Sequence, residues 1–351
     1  MKNLIIKNLI QQYTYGIRGI QDLSLECEDN ETVAILGEKE AGKTSLLKCI
    51  AGLVPQSGGE IIINGQVVND KKPRERDVLM VYDDGGFFEL RTVFYNLSYP
   101  LKIRKVQKEI ITKKVTEVSR KLGFEYLLDY KINSVNFYDR LKVMIARALL
   151  REASVYLFDD PFKNAQPFYR QKIFSQLFPF IKEIKGAKVF ATSSPDEAKT
   201  VGDKIVVMNY GFVTDEGDIK SISKSPNCLL SYKYMYGPFS NAIKAKIEKD
   251  EKGAYINILG ERVLIDEREL INSIYIGKEV IACFTLEQSS KEIEIKKRFI
   301  QYLNNQKVLH GQANGKKVSM FIQDEKEKYF ATVNKSSLRL FDVNNERKVY
   351  F

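Results

Sequence analysis

The sequence predicts an α/β domain of about 217 residues followed by a smaller β-rich domain, and three observations predict it. Short β-branched runs alternate with longer amphipathic stretches in the first part of the chain. Thr32-Val33-Ala34-Ile35-Leu36 reads as a buried strand, Thr44 to Leu53 as a helix, and Gly59 to Ile63 as a strand running into an Asn64-Gly65 turn. Alternation of this kind indicates parallel strands. From about Val93 to Leu150, apolar and charged positions recur at helical spacing through LKIRKVQKEIITKKVTEVSRKLGF, which predicts a helical subdomain at about 93–150 inserted in that core. After Gly217 the short β-type segments AYINILG, ERVLID, EVIACFTL, KVSMFIQ and KYFATV follow one another, with one helix expected around Lys296 to Asn305.

Strands return after the helical insert at Ala153 to Phe158, Ala187 to Thr192 and Lys204 to Met208, the last ending in a turn at Asn209-Tyr210-Gly211. The expected organisation is therefore 1–217 as the first domain, 218–236 as a linker and 237–351 as the second domain. No low-complexity tract or fixed-period repeat interrupts it.

The 351 residues are 44% apolar, enough for a sizeable core, and a net charge of +10 favours acidic partners such as nucleotides, nucleic acid or an anionic membrane surface. Cys27, Cys49, Cys228 and Cys283 show no metal-ligand spacing and read as reduced thiols. His310 is the only histidine, which excludes zinc clusters and argues against a Ser-His-Asp triad. The start of the chain lacks a long apolar run before a small-residue cleavage site, and no later run approaches the ~20 apolar residues of a membrane span, so a soluble cytosolic chain is expected.

Gly37-Glu38-Lys39-Glu40-Ala41-Gly42-Lys43-Thr44 fits GxxxxGK(S/T) between a strand and a helix, where such a loop must lie. There, backbone N–H groups and the helix N-terminus face phosphates, Lys43 reaches the β and γ oxygens, Thr44 faces Mg²⁺, and Ser45 completes the set. Val155-Tyr156-Leu157-Phe158-Asp159-Asp160 is an apolar strand closed by carboxylates, of which Asp159 is suited to support magnesium. Glu38 and Glu40 sit awkwardly in an anion site. One like-charge contact at ~4 Å costs about 4 kcal/mol at an effective dielectric near 20, so these carboxylates must either weaken triphosphate binding or point outward.

The order of strand, phosphate loop, IAGLVPQSGGEIIINGQVV, helical insert, IARALL, carboxylate-closed strand and KIVVMNYGFV resembles the nucleotide-binding subunit of an ABC transporter over residues 1 to about 217. The resemblance implies an ABC-type P-loop ATPase cassette with ATP and Mg²⁺ as cofactors. It also implies an aromatic that stacks on adenine, for which Tyr13 has the best spacing and Tyr15 is the alternative. Tyr236-Gly237-Pro238-Phe239-Ser240-Asn241 and Leu338-Arg339-Leu340-Phe341-Asp342 are similar to the OB-like C-terminal regulatory domain of maltose-type importer ATPases. That likeness implies import of a carbohydrate or related solute, by a chain held at the inner face of the membrane through permease subunits that dock near Asp83 to Tyr95. Nucleic acid is not an expected partner, because soluble factors of this family usually fuse two cassettes and keep the signature that this chain lacks.

The chain departs from the family at several positions. Asp83 stands where a glutamine contacts Mg²⁺, and an ionised carboxylate cannot donate a hydrogen bond. The signature LSGGQ aligns with Val135-Asn136-Phe137-Tyr138-Asp139, so rings and a carboxylate replace the glycines that approach a partner's γ-phosphate. Asp160 replaces the catalytic glutamate, Ser193 the switch histidine, and Lys163-Asn164-Ala165-Gln166 lacks the usual aspartate. Glu40 replaces a glycine. Since each ATP of the family lies between two subunits, the expectation is a degenerate ATPase that binds nucleotide, turns it over weakly and pairs with an intact second ATPase. The competing expectation is a regulatory scaffold that has lost nucleotide binding.

Overall fold

The apolar run Thr32–Leu36 forms a strand (β3) buried at all five positions, as a parallel strand covered on both faces requires. It lies in the first of two units, Met1–Glu216 and Gly217–Phe351, of a computed structural model that describes residues 2–13, 18–82, 84–266, 270, 275–289, 292–303 and 306–350. Its neighbours in a six-stranded sheet are β6 (Val78–Tyr82), β7 (Val155–Asp159), β8 (Ala187–Thr192), β9 (Lys204–Asn209) and β10 (Phe212–Gly217), in the order β10-β9-β3-β8-β7-β6. The β3–β8, β3–β9, β6–β7 and β7–β8 pairs are parallel, as expected.

Alternate residues of β7 enter two different cores, one on each face of the sheet. Val155 and Leu157 pack with Leu46, Leu47 and Ile50 of the helix α1 (Lys43–Ala51) that follows β3. Tyr156 and Phe158 pack with the helical insert, which comprises α2 (Val93–Ile103), α3 (Lys108–Lys121) and α4 (Phe137–Leu150). The far end of α1 is secured by the buried Arg76, whose guanidinium donates to the carbonyls of Cys49 (2.8 Å), Ile50 (3.2 Å), Asn69 (2.8 Å) and Lys71 (2.9 Å). After β7 come α5 (Pro167–Lys172), a π-helical turn, and α6 (Phe178–Glu183); α7 (Pro195–Val201) connects β8 to β9.

A second sheet in this unit is antiparallel, in the order β2-β1-β4-β5, built from β1 (Lys2–Gln12), β2 (Arg18–Glu28), β4 (Gly58–Ile63) and β5 (Gln66–Val67). Sequence periodicity does not reveal β1 and β2, because facing irregularities break their alternation. Leu4, Ile6 and then Leu9 are buried across a register shift at Asn8 (φ 48°), and Asn8 donates to Asp22 (φ 53°) of β2 at 2.8 Å.

Among the described residues the second unit is a nine-stranded antiparallel assembly in the order β13 (Glu261–Leu264), β12 (Gly253–Ile258), β11 (Asn241–Asp250), β14 (Glu279–Ser289), β18 (Tyr329–Asp342), β15 (Ile293–Leu303), β16 (Gln306–Ala313), β17 (Lys316–Ile322), with the last strand, β19 (Lys348–Tyr350), paired to β18. One expectation fails here. Lys296 to Asn305 is not a helix: Ile293–Leu303 is a strand (β15), and Asn304 and Asn305 lie outside the described residues. Ile293 and Ile295 are buried in the core, and Ile300 packs against it half-buried. Beyond Ile295 both faces of the strand are largely exposed, so polar residues occupy consecutive positions and hide the two-residue period. The 218–236 stretch holds α8 (Ile219–Lys224) and α9 (Leu229–Tyr236). Tyr232 of α9 stacks on Tyr236 at 4.4 Å and donates to the Ser337 carbonyl at 3.2 Å. Among the described residues, no helix is long and apolar enough to cross a membrane.

Candidate nucleotide-binding site

The loop from Gly37 to Gly42 is shaped by close backbone approaches. A Cβ on Gly37 would sit 2.6 Å from the Met208 carbonyl oxygen, and one on Gly42 would sit 2.5 Å from the Gly19 carbonyl oxygen. Gly42 also has φ 103°, a left-handed backbone that costs an L side chain roughly 1–2 kcal/mol. It is the N-cap of α1, and no side chain caps that helix. The first-turn N–H groups, which have no intrahelical acceptor, are therefore left for a ligand.

Lys43, in the first turn, is buried, and its ammonium donates to the Gly37 carbonyl (2.7 Å), the Glu38 carbonyl (2.8 Å) and Ser193 Oγ (3.2 Å). Burial lowers its pKa, opposed by the charges of Asp160, Asp159 and Glu38. Thr44 Oγ1 donates to Asp159 Oδ1 at 2.9 Å, joining two of the three residues assigned to magnesium; the third is Asp83. Ser193 Oγ donates to Asp160 Oδ2 at 3.2 Å, and burial pushes the Asp160 carboxyl upward against the pull of Lys43. Five expected residues, Lys43, Thr44, Asp159, Asp160 and Ser193, thus meet in one cleft of about 1420 Å³.

Ala41 is buried, whereas Glu38, Lys39 and Glu40 are exposed, which answers the question of the two loop carboxylates. Both carboxylate side chains reach solvent, where screening reduces their repulsion of an anion. Glu40 still borders the cleft and holds a left-handed backbone, φ 71°, a conformation that suits glycine. The Tyr13 hydroxyl lies 2.5 Å from Ser45 Oγ, so the ring reaches the loop from β1. Asp83 and Tyr15 lie outside the described residues.

The Val135–Asp139 segment differs from the bare glycine turn of a family signature. Asn136 caps α4, accepting from the Asp139 N–H at 3.0 Å and donating to Asp139 Oδ2 at 2.8 Å. Asp139 is buried and pairs with Lys142 at 3.0 Å. The Tyr138 ring is buried against Tyr169, 5.7 Å away and stacked, and its hydroxyl donates to Gln176 at 2.7 Å.

Sequence reasoning missed Glu197 on the cleft floor, which is only 3% exposed. Burial pushes its carboxyl up to about 7. A Ser-Pro-Asp-Glu stretch reads as an ordinary acidic helix start, and only the tertiary fold buries its last residue.

The donor set fits a magnesium nucleotide. Thr44 and Asp159 offer hard oxygen ligands. Among the described residues no group of three or more His, Cys, Asp or Glu could hold a metal alone, so phosphate oxygens and water would complete the shell.

Residues 20–163 match the ABC transporter family. The chain is also 30% identical over 275 residues to the trehalose/maltose import ATP-binding protein of Thermococcus litoralis, covering 76% of this chain and 73% of that one. The chain belongs to the ABC transporter ATP-binding protein family. A second ABC relative, the oligosaccharides import ATP-binding protein of Bacillus subtilis, is 26% identical over 337 residues, covering 95% and 91% of the two chains. Among solved structures, CbiO1 of Clostridium perfringens, part of the ABC transporter complex CbiONQ, matches 64% of this chain and 96% of its own with a TM-score of 0.56. At 23% identity that match speaks for the ABC fold alone.

Proposed function

We propose that this chain is the ATP-binding subunit of an ABC importer for a carbohydrate or related solute. In this reading it grips Mg·ATP but hydrolyses it weakly or not at all by itself, and it pairs with an intact second ATPase subunit. One observation carries the nucleotide reading: Lys43, the Thr44–Asp159 pair and the Asp160–Ser193 pair converge behind an uncapped helix N-terminus. The import functions of the two relatives, for trehalose/maltose and for oligosaccharides, support the solute class.

Bound magnesium neutralises phosphate charge and orients the β and γ oxygens. Thr44 and Asp159 would hold it, with Asp83 as the third contributor. The residues Gly37 to Ser45 would cradle the phosphates through their backbone and Lys43, and Tyr13 would stack on the base.

Weak turnover follows from this chain's own groups. Asp160 is one methylene shorter than glutamate, and its Oδ2 accepts from Ser193, so it is poorly placed to orient water. Ser193 offers a neutral hydroxyl where the family has histidine. The first turn of α4 is occupied by its own cap and offers little to a nucleotide held by a partner. A homodimer would combine both faults in each site, which favours a heterodimer. The chain would act at the cytoplasmic face, held through permease subunits, with the Gly217–Phe351 unit as a regulatory domain and no nucleic-acid partner.

Equilibrium binding of labelled ATP with Mg²⁺ tests the first part, with binding expected below millimolar nucleotide. No binding at millimolar nucleotide would favour the scaffold reading. Turnover by the purified chain at an ordinary rate, on the order of 1–100 per second, would remove the weak-hydrolysis claim. Co-purification with permease subunits and a second ATPase tests the assembly.

A further inference from the structure

We propose that Glu197 is a positioning residue of the nucleotide site, one that takes up a proton when a nucleotide anion enters the cleft and so couples binding to pH. The inference rests on the nucleotide reading above and adds to it a residue and a linkage.

The geometry is a relay through Thr192. The Thr192 hydroxyl donates to Glu197 Oε2 at 2.6 Å and accepts the Ser194 N–H at 3.0 Å, so the turn around Ser193 is fixed by a side chain that Glu197 orients. The Thr192 carbonyl accepts from the N–H of Gly37, the first residue of the phosphate loop, at 3.3 Å. Ser193, inside the turn, accepts from Lys43 and donates to Asp160, each at 3.2 Å. Glu197 therefore acts at one remove: it orients Thr192, whose carbonyl holds the loop and whose neighbour Ser193 accepts from the lysine.

The charge environment supplies the linkage. Arg170 of α5 stands 3.9 Å away, at the limit of an ion pair. Asp160 beyond β7 and Asp196 on α7 both oppose ionisation of Glu197. Of the other elements packed on α7, β3 carries no charged residue. The one charge on β8, Lys188, is bound to the carbonyls of Asn30, Ile184 and Gly186, and α6 carries Lys182 and Glu183 exposed. Lys199, on α7 itself, is held by burial below the usual lysine range and feels Asp196. A carboxyl in this setting, already pushed up to about 7 by burial, gains a further reason to stay protonated when phosphate charge arrives.

By reciprocity, a nucleotide that raises the proton affinity of Glu197 must bind more tightly when Glu197 is protonated. The sign is definite: affinity is highest below the free-state pKa and declines as pH rises through it. One unit of coupling corresponds to a tenfold fall in affinity and to uptake of roughly 0.4 proton per nucleotide near pH 7.

The test is titration calorimetry of the full chain with Mg·ADP near pH 7, in two buffers of different ionisation enthalpy, repeated with Glu197→Gln. The variant keeps an acceptor for Thr192 and mimics the protonated form, and thermal melting checks that it folds. Net proton uptake larger in the wild type than in Glu197→Gln, by roughly 0.4, is the expected result, and subtraction removes the titration of the nucleotide itself. Glu197→Ala, which removes the acceptor, should bind about tenfold more weakly than Glu197→Gln. Equal proton counts in wild type and Glu197→Gln would overturn the inference and leave nucleotide binding standing. A wild type that binds no Mg·ADP would remove the nucleotide reading itself, and this inference with it.

Discussion

The N-termini of α1 and α4 lie in the same unit and solve one problem in opposite ways. Every helix begins with N–H groups that lack an acceptor. α1 leaves them open behind Gly42 and surrounds them with Lys43, Thr44 and the carboxylates at the end of β7. α4 caps one of them itself, the Asp139 N–H, through the reciprocal Asn136–Asp139 pair, and buries Asp139 against Lys142. One end is organised for a ligand and the other for stability. The difference teaches that two helix starts in one unit can serve different ends; the one at Asn136 is an ordinary capped helix start.

The largest expected effect removes the ligand-facing end. Lys43→Ala should weaken Mg·ATP binding by ~4 kcal/mol, on the order of a thousandfold, since two charge-assisted phosphate bonds are lost; equilibrium binding measures it. A loss below tenfold would place the phosphates elsewhere and collapse the contrast between the two helices. Next comes Gly42→Ala, which must force a methyl into the Gly19 carbonyl at a left-handed backbone and should destabilise by about 3 kcal/mol in chemical denaturation, with binding reduced as well.

A pH experiment sharpens the comparison from the cleft side. The carboxyl of Glu197, about 7 in the fold against an ordinary value of 4.5, stays protonated in the native state over a range where the unfolded chain has ionised. The unfolded state then binds fewer protons, so this group makes stability fall as pH rises from about 4.5 to 7, and level off above. Glu197→Gln should therefore stabilise the protein by about 3 kcal/mol at pH 8 and little at pH 4.5; denaturant midpoints at both values check it. The smallest effect belongs to α4. Asn136→Ala should cost about 1 kcal/mol of stability and leave the affinity of this chain's own cleft unchanged.

The same contrast explains what could be read in the sequence. The α1 end was legible because its constraints are local: an apolar run, glycines at tight approaches, then lysine and threonine at fixed spacing. Asp159 and Asp160 were legible as the closure of an apolar strand. The capping role of Asn136 was masked by alignment with a motif it no longer resembles physically. Strands β1 and β2 were hidden by paired irregularities at Asn8 and Asp22, and β15 by exposure on both faces. Glu197 was illegible for another reason, since its burial requires α7 to pack on β3 and α6, both distant in sequence, as well as on the adjoining β8.

Arg76 gives the phosphate loop a fixed foundation. Its guanidinium ties the last carbonyls of α1 to the connection before β6, and a Cβ on Gly52 would collide with it. A rod clamped at its distal end cannot slide or pivot to admit cargo at the other. Accommodation must then come from side chains at the rim, while the rod itself stays put.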